Sequence, residues 1–431
     1  LVGEVARKAG RRDEALRFYQ QVVEDYPVKP HLEEAQFWRA DLFASTRLED
    51  APPEVRAARR ETAIGYYSAY LETRHAAHRP LALAGRAALQ QDAGRLEPAL
   101  ADLEGAVKLE QRLAADPKVV HARVSLLQGL GRHPEAVTLL AAARADSTLS
   151  PDQRTAFQVQ QAALLYEAKQ CDQVEALLNP MPIIADVQLR PRAFFMRGFC
   201  RFQRKEWEKA TFDLEGLISD PNYQNLALQP LLEAYEQSGQ TSRLVNLSEE
   251  LLRAGRVQPN EELLTRLANG YAKLGEPALM LSAYQRLEPI HPEAVQTPAV
   301  QLRMGLAREQ LGQRDAAIAH YRSVLQRPEG ERAPPDVYLT ALEHLQALLL
   351  ADGRVEELTP LHKGATHIVS EPRDKARLAA LRRDVELALA RRALSAGKPQ
   401  EAVTRLEPAL KQTPAEPPER RAQLAALLMT A

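Results

Sequence analysis

A short sentence of residues is written again and again along this chain, and that repetition limits its fold more than any other feature does. Gly10-Arg11-Arg12-Asp13-Glu14-Ala15-Leu16 continues through Tyr19 and Val22 to Pro27. The same order returns at Gly94 (Ala99, Leu103, Ala106), Gly131 (Ala136, Leu140, Ala143), Gly312 (Ala317, Tyr321, Val324) and Gly397 (Ala402, Leu406, Ala409, Pro414). Looser copies turn at Gln170, Lys205, Gly239, Gly275 and Gly353. From Gly94 to Gly397 the mean step is about 38 residues, inside the range of periods that mark repeat architectures. Self-similarity at this period means stacked units, because one unit alone cannot hide its apolar face.

Each unit is a helical hairpin. Before each turn stands an apolar set at 3.6-residue spacing, such as Leu264, Leu267, Ala268 and Tyr271 before Gly275, or Leu228, Leu231, Leu232 and Tyr235 before Gly239. Glycine ends this helix A because it enters the left-handed region without a Cβ penalty. Prolines at 27, 117, 221, 292, 328 and 414 end helix B, since proline cannot continue the hydrogen-bond ladder. Small residues on helix A (Gly198, Ala163, Ala268, Gly305) and on helix B (Ala99, Ala210, Ala317) allow the helices to approach closely.

This arrangement resembles the tetratricopeptide repeat family, whose units carry a large residue, Leu-Gly or Leu-Ala and then Tyr on helix A, with Ala, an aromatic and Ala on helix B. The resemblance covers nearly the whole chain as about eleven units. It implies an all-α fold, a right-handed αα superhelix, with residues 1–431 as a single solenoid on one continuous core. Both ends are expected to be cut from a longer protein, and the stretch Pro417–Ala431 reads as a helix A without a partner. Residues 31–75 form a stretched unit with helices over His31–Thr46 and Glu54–Thr73. Hinges are expected near 179–190 and 327–336, where prolines interrupt the pattern.

Composition narrows the function. With 56 basic and 57 acidic residues the net charge is -1, which leaves no global field for a phosphate backbone, so nucleic acid is not an expected partner. No apolar run approaches the roughly 18 to 20 residues of a membrane span. None of the usual catalytic or cofactor motifs occurs, and neither His75/His78 nor His362/His367 has the carboxylate or cysteine company of a metal site. These histidines read as solvated. The chain is therefore expected to be no enzyme, to need no cofactor or metal, and to take no small-molecule substrate.

Two cysteines are present. A Cys171–Cys200 bond is conceivable, but the two lie at helix heights roughly 9 Å apart at 1.5 Å per residue, so free, partly buried thiols are expected. The sequon Asn246-Leu247-Ser248 falls on an amphipathic helix B and reads as accidental.

One helix A departs from the rule that the inner face is polar or small. Residues 190–202 carry Phe195, Phe199 and Phe202 on one stripe, and four of the nine phenylalanines fall on this helix beside Arg192, Arg197, Arg201 and Arg204. Arg192, Phe195, Phe199, Arg201 and Phe202 are the candidate partner-binding residues, an aromatic anchor with guanidinium forks for an apolar and acidic peptide. A helix phase shifted by one residue would instead make Phe195 and Phe202 ordinary core. One subgroup of the family grips a peptide's C-terminal carboxylate; Asn269 matches one of its positions, but Thr265 stands where its lysine belongs, so that clamp is not expected.

The resulting expectation is a non-catalytic scaffold that binds a protein or peptide within a larger complex, with a docking or regulatory arm of a larger enzyme or signalling protein as the alternative. Arginine outnumbers lysine 44 to 12, and segments such as Tyr66-Tyr67-Ser68-Ala69-Tyr70-Leu71 have the style of bacterial cell-envelope repeats. The periplasm or envelope is the expected location, the cytoplasm the alternative.

Overall fold

The computed structural model describes residues 1–25, 31–45, 51–73 and 77–411, together with Ala426 and Met429. Among these every regular element is a helix, and helices A and B alternate through the chain. The reading of Pro417–Ala431 as a closing helix A lies outside the described residues, apart from Ala426 and Met429. The stretched second unit has its helices at His31–Ser45 and Pro53–Leu71.

The turns follow from backbone chemistry. Gly94 has φ +74°, its N–H bonds the Gln91 carbonyl, and the next N–H, of Arg95, reaches back to Gln90. This closes the orphan carbonyls at the helix end. Lys205 makes the same pair of bonds at φ 60°, so a lysine can hold the turn where glycine is missing. In the looser copy read at Gln170, the left-handed residue is its neighbour Lys169.

The chain falls into two compact units, residues 1–238 and 239–431, and the sequence pattern marks no break at that point. The first contains the hairpins from Val2–Lys8 with Arg12–Asp25 through Leu189–Gln203 with Trp207–Glu215, and ends in Gln224–Gln237. The second opens with Thr241–Arg253 and runs through Glu261–Leu274 with Pro277–Leu287 to Pro372–Ser395 with Pro399–Lys411. Segments 179–190 and 327–336 each lie within one unit.

Close approach is visible at Gly305. A Cβ there would come within 2.6 Å of the Tyr321 ring, so the small residue of helix A makes room for the aromatic of helix B rather than for another small side chain. Ala317, one turn before Tyr321, is itself fully buried.

His362 does not fit the expectation of a solvated histidine. It is only 5% exposed, and its Nε2 lies 2.9 Å from Gln346 Oε1. The Gln346 amide nitrogen donates to the Leu381 carbonyl, which leaves its oxygen as acceptor and requires the proton on His362 Nε2. The reason is the alternation of the hairpin: His362 falls on the inner face of the short helix Leu358–Ala365. Burial, followed by the nearby Arg382 charge, pushes its pKa down to about 4. The unfolded chain takes up a proton near pH 6.5, whereas the folded chain refuses it until about pH 4. Stability is thus complete above pH 6.5 and declines as pH falls towards 4, by about 3 kcal/mol in total. Denaturant melts across this window should show the loss, and His362→Gln should remove that part of it.

Candidate functional site

Helix Leu189–Gln203 is built with two different faces. Ala193, Met196, Arg197, Gly198, Cys200 and Arg201 are buried. Phe195, Phe199 and Phe202 are half-buried along the adjacent stripe, and Arg192 is exposed. The phenylalanines are therefore neither ordinary core nor free surface.

The buried face holds charges. Arg197 clasps Asp213 through two bonds of 2.6 and 3.0 Å and donates a third, of 2.7 Å, to the Leu178 carbonyl. Arg201 donates to the same carboxylate at 2.9 Å and forks onto Glu175 at 2.7 and 3.0 Å. The Asp213 side chain has no exposure at all, and those of Arg197 and Arg201 have 4% and 7%. Burial pushes the Asp213 carboxyl up, and the two guanidiniums pull it back. Two cations around one fully desolvated anion, with Glu175 as the fourth member, join helices Cys171–Leu178, Leu189–Gln203 and Trp207–Glu215.

This corrects the placement of Arg201. Expected as a fork for a partner's carboxylate, it is committed to Glu175 and Asp213 inside the protein. The cause is register: Arg201 stands four residues before its turn residue, Lys205, where Tyr235 and Tyr271 stand before Gly239 and Gly275. That is a core position.

The cysteines also differ from expectation. Cys171 and Cys200 form a disulfide, with Cα atoms 5.2 Å apart. The two helices run antiparallel, as the pairs Asp172–Arg204, Glu175–Arg201 and Leu178–Arg197 show. The first residue of one helix therefore meets the final turns of the other, and the height difference inferred from separate helices vanishes.

On the half-buried face, Phe195 is the centre of an aromatic cluster. Its ring centroid lies 4.4 Å from Phe199, 5.3 Å from Tyr223 and 5.7 Å from Tyr166, distances at which offset and edge contacts are favourable. Burial raises the Tyr166 phenol pKa and keeps it neutral. Phe202 is not part of this group; it packs edge-on against Trp207 at 5.4 Å. Of the five candidates, then, the structure brings Phe195 and Phe199 together, adds Tyr166 and Tyr223 from the neighbouring segments, sets Arg192 nearby on the exposed side of the same helix, and withdraws Arg201.

The Arg197–Asp213 pair has a counterpart. Arg86 clasps Asp102 through two bonds of 2.7 Å and reaches Ser68 Oγ at 3.0 Å. Both arginines precede their turn residue by eight positions, and both aspartates lie sixteen residues further on. At the matching position the second unit carries Leu267, Met304, Leu345 and Leu389. The repeated spacing was the available signal for a buried charge pair. Elsewhere, Asn269 accepts a bond from Arg303 at 2.7 Å, and at the sequon Ser248 is fully buried on the Leu244 carbonyl while Asn246 is exposed. Among the described residues no group of three or more His, Cys, Asp or Glu side chains is placed to hold a metal ion. No described helix is long and apolar enough to cross a membrane.

A family model described as "Tetratricopeptide repeat" matches residues 1–27 and 299–329. Each matched stretch holds a helical hairpin, Val2–Lys8 with Arg12–Asp25 and Pro298–Gln310 with Arg314–Leu325, so the repeat is shown at these two places within an all-α repeat fold. Among solved structures it is similar to a tetratricopeptide repeat protein from Parabacteroides merdae ATCC 43184, at 15% identity and TM-score 0.33, over 63% of this chain and 99% of that one. It is also similar to a chain in the APC/C hetero-tetramer Cut9-Hcn1, at 11% identity and TM-score 0.27, over 99% of this chain and 94% of that one. No curated protein matches it in sequence.

Proposed function

We propose that this chain is a non-catalytic scaffold that grips a segment of a partner protein on the aromatic face of Leu189–Gln203. One observation carries the reading: half-buried Phe195 and Phe199, backed by Tyr166 and Tyr223, lie on a helix fixed from behind by buried charges and a disulfide. An aromatic surface held rigid before binding loses little freedom when a partner docks, so more of the contact energy appears as affinity. Aromatic anchors are also the residues that dominate such interfaces.

The same bond supports a place in the bacterial cell envelope, because disulfides persist in oxidising compartments and are rare in the cytosol of mesophiles. The partner segment is apolar, with an acidic residue to meet Arg192.

The test is affinity enrichment from the native organism with the wild type and with the Phe195→Ala, Phe199→Ala double variant. A protein that purifies with the wild type should be bound about tenfold or more weakly by the variant, which still unfolds cooperatively although it loses the packing of Phe195 on Tyr166 and Tyr223. The same proteins recovered equally with both would refute this face as the interface.

A further inference from the structure

The second unit contains a cleft that the aromatic face does not explain. Helix Leu358–Ala365 has only 8 residues, whereas the next helix, Pro372–Ser395, has 24. The long helix carries Lys375, Leu378, Ala379, Arg382, Arg383 and Glu386 on successive turns. A cavity of about 600 Å³ lies along them, bordered by Thr366 and Val369 on one side and by Thr404 and Arg405 on the other, within the size range of ligand sites. Its floor includes Val369 and Leu378, both buried.

The charges around this cleft are one-sided. Among the described residues, Lys375, Arg382, Arg383 and Arg405 line it with one carboxylate, Glu386, and Arg383 already has an interaction of its own, which leaves Lys375 and Arg382 as the cations the site relies on. That carboxylate is paired with Arg405 at 3.1 Å, and Arg405 also reaches Glu401. Arg382 is held in position from behind: one terminal nitrogen donates to the His362 carbonyl at 2.6 Å and to Thr366 Oγ1 at 2.5 Å. The His362 ring is in turn fixed on Gln346. A guanidinium oriented by the protein has already lost the side-chain freedom that a floppy one gives up on binding. Lys375, by contrast, is exposed on the first turn of the helix.

We propose that this cleft is a second docking site, distinct from the aromatic face, and that it takes an acidic peptide segment of a partner protein. Cations that outnumber carboxylates draw in glutamate or aspartate side chains, and planar guanidinium forks bind carboxylates through paired bonds. The apolar floor of Val369 and Leu378 takes the methylene stems. In a chain of net charge -1, this concentration of positive charge is local.

The experiment uses the full chain and a fluorescein-labelled octaglutamate peptide, with binding read by anisotropy at low and high salt. The expected result is saturable binding that weakens as salt rises, falls about fivefold to tenfold in Lys375→Glu and falls further in Arg382→Glu. Lys375→Glu keeps the test sound if Arg382→Glu disturbs His362. Phe199→Ala should bind octaglutamate like the wild type, so this site and the aromatic face stand or fall separately. Affinity unchanged in both charge variants, or no saturable binding at low salt, would overturn the proposal. So would displacement of the peptide by inorganic pyrophosphate at lower concentration than by unlabelled octaglutamate, which would assign the cleft to small anions.

Discussion

Asp213→Ala is expected to destabilise the first unit by about 3 to 5 kcal/mol, the cost of leaving a buried ion pair without one partner. The magnitude follows from what remains. Arg197 would keep its bond to the Leu178 carbonyl and Arg201 its fork onto Glu175, but two guanidiniums would face each other without the carboxylate between them. Neither can shed its proton, because arginine stays charged in proteins. Replacing Arg197 and Asp213 by methionine and leucine, while Arg201 keeps its fork onto Glu175, should recover part of the loss, since this removes one charge of each sign and leaves the remaining pair matched. Thermal melts of the single and double variants check both statements. If Asp213→Ala melts like the wild type, the network does not hold the three helices.

Reducing the Cys171–Cys200 bond is the second large effect. The residues are separated by 29 positions, and closing a loop of that size in the unfolded chain corresponds to about 3.5 kcal/mol on the chain-entropy relation. A melt with reductant should therefore fall by ~10 °C for a unit of this size. The Cys171→Ala, Cys200→Ala double variant should melt at the reduced value whether or not reductant is present. Alkylation of the unreduced, denatured protein should label no thiol; labelling of both would show that the bond is absent.

Much of this was legible because the repeat states it many times. The glycine turns at 94, 131, 239, 275, 312, 353 and 397 all have the left-handed backbone that their position predicts. The stripe of Phe195 and Phe199 follows from spacing alone. What could not be read were relations between neighbouring hairpins. The disulfide depends on antiparallel pairing of Cys171–Leu178 with the end of Leu189–Gln203, and heights measured along each helix separately miss it. Tyr166 and Tyr223 join the cluster from segments on either side of that helix, and no periodicity within one hairpin points to them. Arg201 was misplaced for a different reason. An arginine is normally taken as surface, yet its alignment with Tyr235 and Tyr271 already put it inside. His362 illustrates the same point, a polar residue buried because its helix face demands it and Gln346 can satisfy it.

The proposed role of the rigid aromatic face on Leu189–Gln203 is to bind another protein. Its most direct test is peptide display panned on the intact chain, followed by titration of the selected peptides against the wild type and Phe199→Ala. Selected sequences should share an aromatic or aliphatic anchor near an acidic residue and bind Phe199→Ala at least about tenfold more weakly, while the variant still folds cooperatively. Peptides that bind both proteins equally, or a Phe199→Ala chain that loses its fold along with its binding, would contradict it.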